Sequence, residues 1–304
     1  MKQFFEKMFF APKWYHLPLI FLLSPLSLLY GLGMLVRRGF TKREKFCIPI
    51  ISVGNLIVGG SGKTPFVIAL SLFLASKFEG VTIISRGYGR LCRGLIEVSR
   101  EGDILVGVED SGDEAMLMAQ SLPKASVIVS EDRHKAIELA KSRGAKLLIL
   151  DDGFNRMEIE KYEIVLEPAK IKNYFPFPSG AFREFWFCAR YADVIAKEGR
   201  DFERVVEVVN PTKRMLLVTA ISNPQRLDAY LPNNVVAKVT YDDHAYFDET
   251  RLLELLKVHQ ADSILCTSKD KVKMDGFKLP ISEMKLKLEI QNEIFTKIET
   301  YIKG

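Results

Sequence analysis

Only four cysteines occur in the 304 residues, Cys47, Cys92, Cys188 and Cys266, and none belongs to a C-x-x-C pair. Thiols scattered in this way exclude a disulfide framework and a thiolate metal site, and they suit a reducing compartment. None has neighbours that would make it a nucleophile. A strong excess of one charge is also missing. Lys and Arg number 43 against 38 Asp and Glu, a net charge of +5, and no long basic stripe runs through the body of the chain. That argues against general nucleic-acid binding. Internal repeats and low-complexity tracts are absent. What remains is 48% hydrophobic and 27% charged residues, a globular balance with some extra apolar content. The length suits one large or two ordinary domains with a real core.

The N-terminus departs from that balance. From Leu17 to Val36 runs LPLIFLLSPLSLLYGLGMLV, without a charge. At about 1.5 Å per residue, a helix of this length would just cross a hydrocarbon core of roughly 30 Å. A signal peptide would require a small-x-small cleavage site; Arg37 and Arg38 follow instead. A buried core helix is the other alternative. Pro18, Pro25, Gly31 and Gly33 can kink the run into an interfacial or partly inserted helix. Trp14, Tyr15 and His16 on one side suit a headgroup belt. On the other side Arg37, Arg38, Lys42, Arg43 and Lys45 suit anionic lipid at a cytoplasmic face. Residues 1–40 are therefore expected to attach the protein to a membrane, by crossing it or by lying in it.

After the anchor, short apolar strands alternate with amphipathic helices. IPIISVG (48–54), VTIIS (81–85), SVIVS (126–130) and KLLILD (146–151) read as strands. The apolar run from Gly62 to Phe78 and the stretch DRHKAIELAKSRG read as helices, the latter closed by Gly144. Such alternation implies a parallel sheet covered on both faces. A second set follows, with strands at MLLVTA (215–220), VVAKVTY (235–241), SILCTS (263–268) and MKLKLEI (284–290). The region around 183–212 separates the sets. The expected fold is α/β, with a phosphate-loop-type parallel-sheet domain over 41–205 and a second, smaller α/β domain over 206–304.

VGGSGKTP (58–65) directly follows a predicted strand and opens a helix. Free N–H groups of a first helical turn, together with the helix dipole, attract phosphate oxygens there. Glycines let the backbone approach closely, Lys63 can reach the β- and γ-phosphates, and Thr64 can hold Mg²⁺. Pro65 is tolerated because first-turn N–H groups lack helical partners. The usual pattern, G-x-x-x-x-G-K-[ST], would begin with glycine where this chain has Ile57. The candidate nucleotide loop is thus Ile57, Val58, Gly59, Gly60, Ser61, Gly62, Lys63 and Thr64. A metal-binding carboxylate is needed at the end of a neighbouring strand, and LLILDDGF (147–154) supplies Asp151 and Asp152. Loop plus carboxylates mean nucleotide hydrolysis or phosphoryl transfer, without deciding between them.

Further stretches narrow the choice. GNLIVGGSGKTP (54–65), SRGYGR (85–90), GDE (112–114), EDR (131–133), LDDGF (150–154), FPSGAFRE (177–184), NPQR (223–226), DDH (242–244) and TSKDKVK (267–273) occur in one order. In these motifs, and in its apolar N-terminus, the chain resembles the tetraacyldisaccharide 4'-kinases, the lipid A 4'-kinases of Gram-negative bacteria. That family's loop also lacks the first glycine. The resemblance implies ATP-dependent phosphorylation of the 4'-hydroxyl of an acylated glucosamine disaccharide 1-phosphate. It also implies Mg²⁺ as cofactor, action at the cytoplasmic face of the inner membrane, and two α/β/α domains with the active site in the cleft between them. It matches the catalytic Asp to Asp113 and its partner His to His244, and adds Glu184 to the metal-side acids Asp151 and Asp152. It places Arg86, Tyr88, Glu114 and Arg133 around the cleft, as candidate substrate contacts. The chain departs from the family at Asn155 and Arg156, where DDGFQH is common, and at Ala245, where a second His is common.

Without the resemblance, Asp113 reads as a helix-start carboxylate, His244 as a surface loop histidine and Arg133 as part of a solvated helix face. Two other functions compete. A membrane-associated partitioning ATPase would use K-G-G-x-G-K-[ST], but Val58 stands where its extra lysine belongs. A kinase for a soluble sugar or nucleoside carrying an anchor is the other.

Overall fold

The structure is a computed structural model that describes residues 2–58, 62–167 and 171–304. From the N-terminus come α1 (Lys2–Phe10), α2 (Leu17–Phe40), β1 (Ile50–Gly54), α3 (Lys63–Lys77), β2 (Val81–Ser85), β3 (Ile96–Arg100) and β4 (Asp103–Ile104). Next are α4 (Val108–Ser111), α5 (Asp113–Ser121), β5 (Ser126–Val129), α6 (Arg133–Ser142), β6 (Leu147–Asp151), β7 (Tyr162–Glu167) and β8 (Val194–Lys197). The chain ends with β9 (Phe202–Val209), β10 (Met215–Thr219), β11 (Val235–Thr240), α7 (Glu249–Val258), β12 (Ser263–Thr267), α8 (Ser268–Lys271), β13 (Ile281–Ile290) and α9 (Asn292–Lys303). These elements form two compact units. One is built from Met1–Val67, Lys146–Glu203 and Ile290–Gly304, the other from Ile68–Ala145 and Arg204–Glu289.

In the first unit four strands run in the order β6-β1-β7-β8, all parallel. Every residue of β1 and β6 is buried, as a parallel sheet covered on both faces requires. Val53 lies opposite Asp151, so these two strands end at the same level. Ligands of open parallel sheets gather outside such carboxyl ends.

The apolar N-terminal run is one helix, α2, despite Pro25. Proline has no N–H for the Phe21 carbonyl one turn earlier, and the Ser24 hydroxyl donates to that carbonyl instead, at 2.9 Å. One stripe of the helix is buried: Ile20, Ser27, Gly31 and Arg38. It lies on the segment around Ser179. The Ser179 N–H donates to Ser27 Oγ at 2.8 Å, and the Ser179 hydroxyl donates to the Ile20 carbonyl at 3.1 Å. A Cβ on Gly31 would stand 2.7 Å from the Phe185 ring, so this contact requires glycine. The other side stays open, with Phe21, Leu22, Leu29 and Leu32 all exposed.

In the second unit β2 and β5 are parallel, whereas β3 runs antiparallel to β5 and pairs with β4 in a hairpin. A second sheet has the order β11-β10-β12-β13 with β9 at its edge. Its first four strands are mutually parallel. Leu216, Val218, Ile264 and Cys266 pack there against Phe247 and against Leu252 and Leu256 of α7. The fold class expected from the sequence is the one observed: α/β with parallel sheet, an apolar N-terminal helix and a second sheet. The sequence pattern does not mark β3, β4 or β7, and the stretch expected to separate the two sets holds β8 and β9.

Candidate functional site

The phosphate-loop end of the first unit is built around β1. Ile57 is 4% exposed and packs with Leu56, Phe154 and Phe182. Its backbone bridges Phe182, and the Val58 N–H donates to the Ala181 carbonyl at 2.9 Å. Where the common pattern has glycine, this loop therefore has an apolar anchor. The FPSGAFRE stretch supplies the surface that receives it. Gly59, Gly60 and Ser61 lie outside the described residues.

Lys63 opens α3 beside half-buried Thr64. Lys63 Nζ donates to Asn55 Oδ1 at 3.3 Å and lies 3.5 Å from Asp152 Oδ1. Arg183 Nη1 donates to the same carboxylate, at 3.0 and 3.3 Å. Burial alone would push the Asp152 carboxyl up, but Lys63 and then Arg183 outweigh it and hold the group below the usual carboxylate range. Asp152 is thus an anion at neutral pH. Asp151, at the end of β6, is 4% exposed. Gly153 follows; a Cβ there would stand 2.6 Å from Ser52 Oγ, so the turn after the acids packs directly on β1.

Thr64, Asp151 and Asp152 offer only hard oxygen donors, the set Mg²⁺ prefers, and so fit that ion. Among the described residues no group of three or more His, Cys, Asp or Glu could close a cage around a metal. An ion here would therefore rely on phosphate oxygens for its remaining ligands. Glu184, the third acid of the candidate metal side, is held by α2. It is fully buried, and both of its oxygens accept from Arg38 of α2, at 2.8 Å each. In the amide orientation that satisfies both neighbours, Asn155 donates to Glu184 Oε1 at 2.9 Å and accepts from Arg183 at 3.2 Å. Arg38 also lies over the Phe154 ring, 4.5 Å from its centroid.

The second unit holds the other candidates. Asp113 begins α5 and is 4% exposed. Gly112 before it has φ 83°, and a Cβ there would stand 2.7 Å from the Tyr88 carbonyl oxygen, so the turn in GDE admits only glycine. His244 Nδ1 lies 2.9 and 3.1 Å from the two Asp113 oxygens. Burial works to raise the Asp113 carboxyl, but the His244 hydrogen bond, Lys269, the His244 charge and Lys273 together hold it below its usual range. An ionised carboxylate only accepts, so Nδ1 carries the proton and donates it. Tyr88 is 63% exposed, with its ring centroid 4.9 Å from that of His244. A Cβ on Gly89 would come within 3.1 Å of the imidazole.

Glu114 accepts from Lys269 Nζ at 3.2 Å, while Arg86 is exposed. Arg133 is not on a solvated face. It is 2% exposed and donates to the carbonyls of Ser85 and Ser130, tying the ends of β2 and β5. Sequence reasoning gave no role to Lys269, Asp270 and Lys273. Both lysines approach Asp113 Oδ2, at 3.7 and 3.8 Å. The available signal was their spacing in TSKDKVK, which puts positions i and i+4 of a helical turn on one side.

A strand–loop–helix ending in Gly-Lys-Thr beside an acid pair, in an α/β fold, defines a nucleotide-dependent phosphoryl-transfer or hydrolysis protein. The family is narrower. The model of the tetraacyldisaccharide-1-P 4'-kinase family matches residues 19–210 and 204–303, and the chain belongs to that family. It is 46% identical to the tetraacyldisaccharide 4'-kinase of Helicobacter pylori strain HPAG1, over 99% of this chain and 95% of that one. With the enzyme of that name from Aliarcobacter butzleri, identity is 41% over 98% and 96% of the two chains. The crystal structure of LpxK from Aquifex aeolicus in complex with ATP superposes with a TM-score of 0.75 at 28% identity. The match covers 94% of this chain and 98% of that one.

Proposed function

We propose that the protein transfers the γ-phosphoryl group of ATP to the 4'-hydroxyl of a tetraacylated glucosamine disaccharide 1-phosphate. This is a step of lipid A synthesis. The observation that carries the reading is the contact between His244 and Asp113, residues 131 apart in sequence. A buried carboxylate–imidazole pair suits removal of the proton from an acceptor hydroxyl.

The transfer is an in-line displacement, and its loose transition state spreads charge over the phosphoryl oxygens. Lys63 and the N–H groups at the start of α3 bind and stabilise that charge. Thr64, Asp151 and Asp152 would hold Mg²⁺, which would neutralise charge on the phosphates. Asp113 accepts the acceptor hydroxyl proton, while His244 donates through Nδ1 and fixes the carboxylate's orientation. Glu184, which accepts one bond from Arg38 on each oxygen, would complete the acids on the metal side through its remaining lone pairs.

The anchor helix also has a role. The buried stripe of α2 extends from Ile20 to Arg38, so the helix is docked on its own protein over most of its length. Its open side presents Leu22 at 75% exposure and Leu29 at 67%. This division suits a helix lying in the plane of the inner membrane, on the cytoplasmic side where ATP is available. An acylated acceptor would reach the enzyme from the same surface.

The test is a transfer assay in mild detergent with labelled ATP, Mg²⁺ and tetraacyl disaccharide 1-phosphate, with Lys63→Ala and Asp113→Ala alongside. Labelled bisphosphorylated lipid from the wild type alone is expected. ATP hydrolysis without labelled lipid, unaffected by Asp113→Ala, would establish the switch-ATPase reading instead.

A further inference from the structure

Lys273 lies in the turn after α8 with its side chain 1% exposed. A buried ammonium is costly unless oxygens surround it. Its Nζ donates to the Ala245 carbonyl at 3.0 Å and lies 3.1 Å from Asp270 Oδ1 and 3.8 Å from Asp113 Oδ2. The Phe247 ring covers it, 4.9 Å from Nζ to centroid. Lys273 thus reaches the Asp113 carboxylate and also the carbonyl of Ala245, the residue after His244.

Asp270 extends the same network. Fully buried, it accepts from Thr219 Oγ1 at 2.6 Å, Thr267 Oγ1 at 2.8 Å and the Ala220 N–H at 3.0 Å. The Ala220 carbonyl in turn accepts from the His244 N–H at 3.0 Å. His244 needs such support, because its φ is 63°. A non-glycine residue in that region persists only where its surroundings hold it. Lys269 differs: it touches Asp113 and Glu114 of α5 but is 20% exposed.

We propose that Lys273 is a positioning residue for phosphoryl transfer, fixing the Asp113 carboxylate and the His244 backbone in one geometry and keeping Asp113 ready to accept the acceptor proton. The proposal rests on Asp113 being the proton acceptor. Removing one buried cation beside Asp113 makes protonation easier, so the acid limb of the rate profile moves to higher pH. The charged groups acting at Asp113 are His244 from the 242–246 loop and Lys269 and Lys273 from the segment after β12. Glu114 on its own helix and Asp243 act on Lys269, while Tyr246 feels Glu109 and Asp110 as well as Asp113.

Lys273→Met alone would strand Asp270, so the test pairs it with Asp270→Asn; Lys273→Arg keeps the charge. Full-length protein in detergent is assayed for kcat, KM for ATP and the kcat–pH profile, with thermal melts to confirm folding. For the double variant the expected result is a roughly 10²-fold loss of kcat, the low end of what a proton-accepting group contributes, with KM for ATP unchanged. Its acid limb should move to higher pH, as loss of a close opposite charge predicts. A folded double variant with wild-type kcat and acid limb would overturn the proposal. If the double variant does not fold, Lys273→Arg decides. Its fork cannot make the contacts of one ammonium, so wild-type kcat there would equally overturn it. An active Asp113→Ala enzyme would instead sink the proton-acceptor assignment.

Discussion

Asp113 is a carboxylate held ionised against its own burial. One consequence is kinetic: Asp113→Asn should lower kcat by about 10²–10⁴-fold while ATP still binds, as measured by nucleotide titration beside the transfer assay. The other concerns stability. The folded value is depressed below the ordinary 3.8, so the ionised group stabilises the fold above that pH and loses this as pH falls through the folded value. The gap in melting temperature between wild type and Asp113→Asn should be open at pH 7 and close in acid below 3.8. A gap that stayed constant with pH would mean that the charge is not what stabilises. The site was unevenly legible at this scale. Gly62, Lys63 and Thr64 announce themselves because phosphate binding constrains backbone and charge within a few consecutive residues. Asp113 and His244 do not, since each is an ordinary polar residue until the fold joins them across 131 positions. Lys273 hides for the same reason: in TSKDKVK a buried ammonium looks like a solvated one.

Among the elements, the buried parallel strands were readable almost to the residue, because burial on both faces leaves continuous apolar runs such as VTIIS over Val81–Ser85. β9 carries no such run: in FERVVEVV more buried positions alternate with exposed ones, and Glu203, Arg204 and Glu207 interrupt the apolar residues. β8 shows the same alternation of buried and exposed residues within four positions. The bearing of α2 could not be read either. Composition showed an apolar helix, but only the fold shows that Arg38, counted among the lipid-facing cations, turns inward to Glu184. Arg38→Met would leave a fully buried carboxylate unpaired, and breaking such a pair costs about 3–5 kcal/mol. The denaturation midpoint should fall accordingly, and Arg38→Met with Glu184→Gln should recover much of the loss. If the single variant were as stable as wild type, the pair would not be what fixes α2 to the Ser179 segment. Gly31→Leu tests the same junction by overpacking Phe185, at roughly 1–3 kcal/mol.

For the molecule as a whole, the open question in the sequence was whether the N-terminal helix crosses a membrane or lies in it. Length alone permits crossing. Docking argues otherwise, since the buried stripe from Ile20 to Arg38 occupies one side of α2 with protein, and a spanning helix would have to leave that surface. With Arg38 turned inward, exposed Arg37, Lys42, Arg43 and Lys45 remain for anionic lipid, each worth about 1 kcal/mol near the surface. Binding to anionic vesicles should therefore weaken with salt but persist through the apolar side. Replacing Phe21, Leu22 and Leu29 by serine should abolish the salt-resistant part. Topology gives the sharper test. Single cysteines placed at Lys13 and at Phe40, in a background lacking the exposed Cys47 and Cys92, bracket the helix. An in-plane helix leaves both ends on the cytoplasmic side, so an impermeant maleimide labels both in inverted vesicles and neither in intact spheroplasts. A spanning helix splits them, with one end labelled in each preparation. That outcome would require α2 to undock from the Ser179 segment in the membrane and would withdraw the in-plane reading.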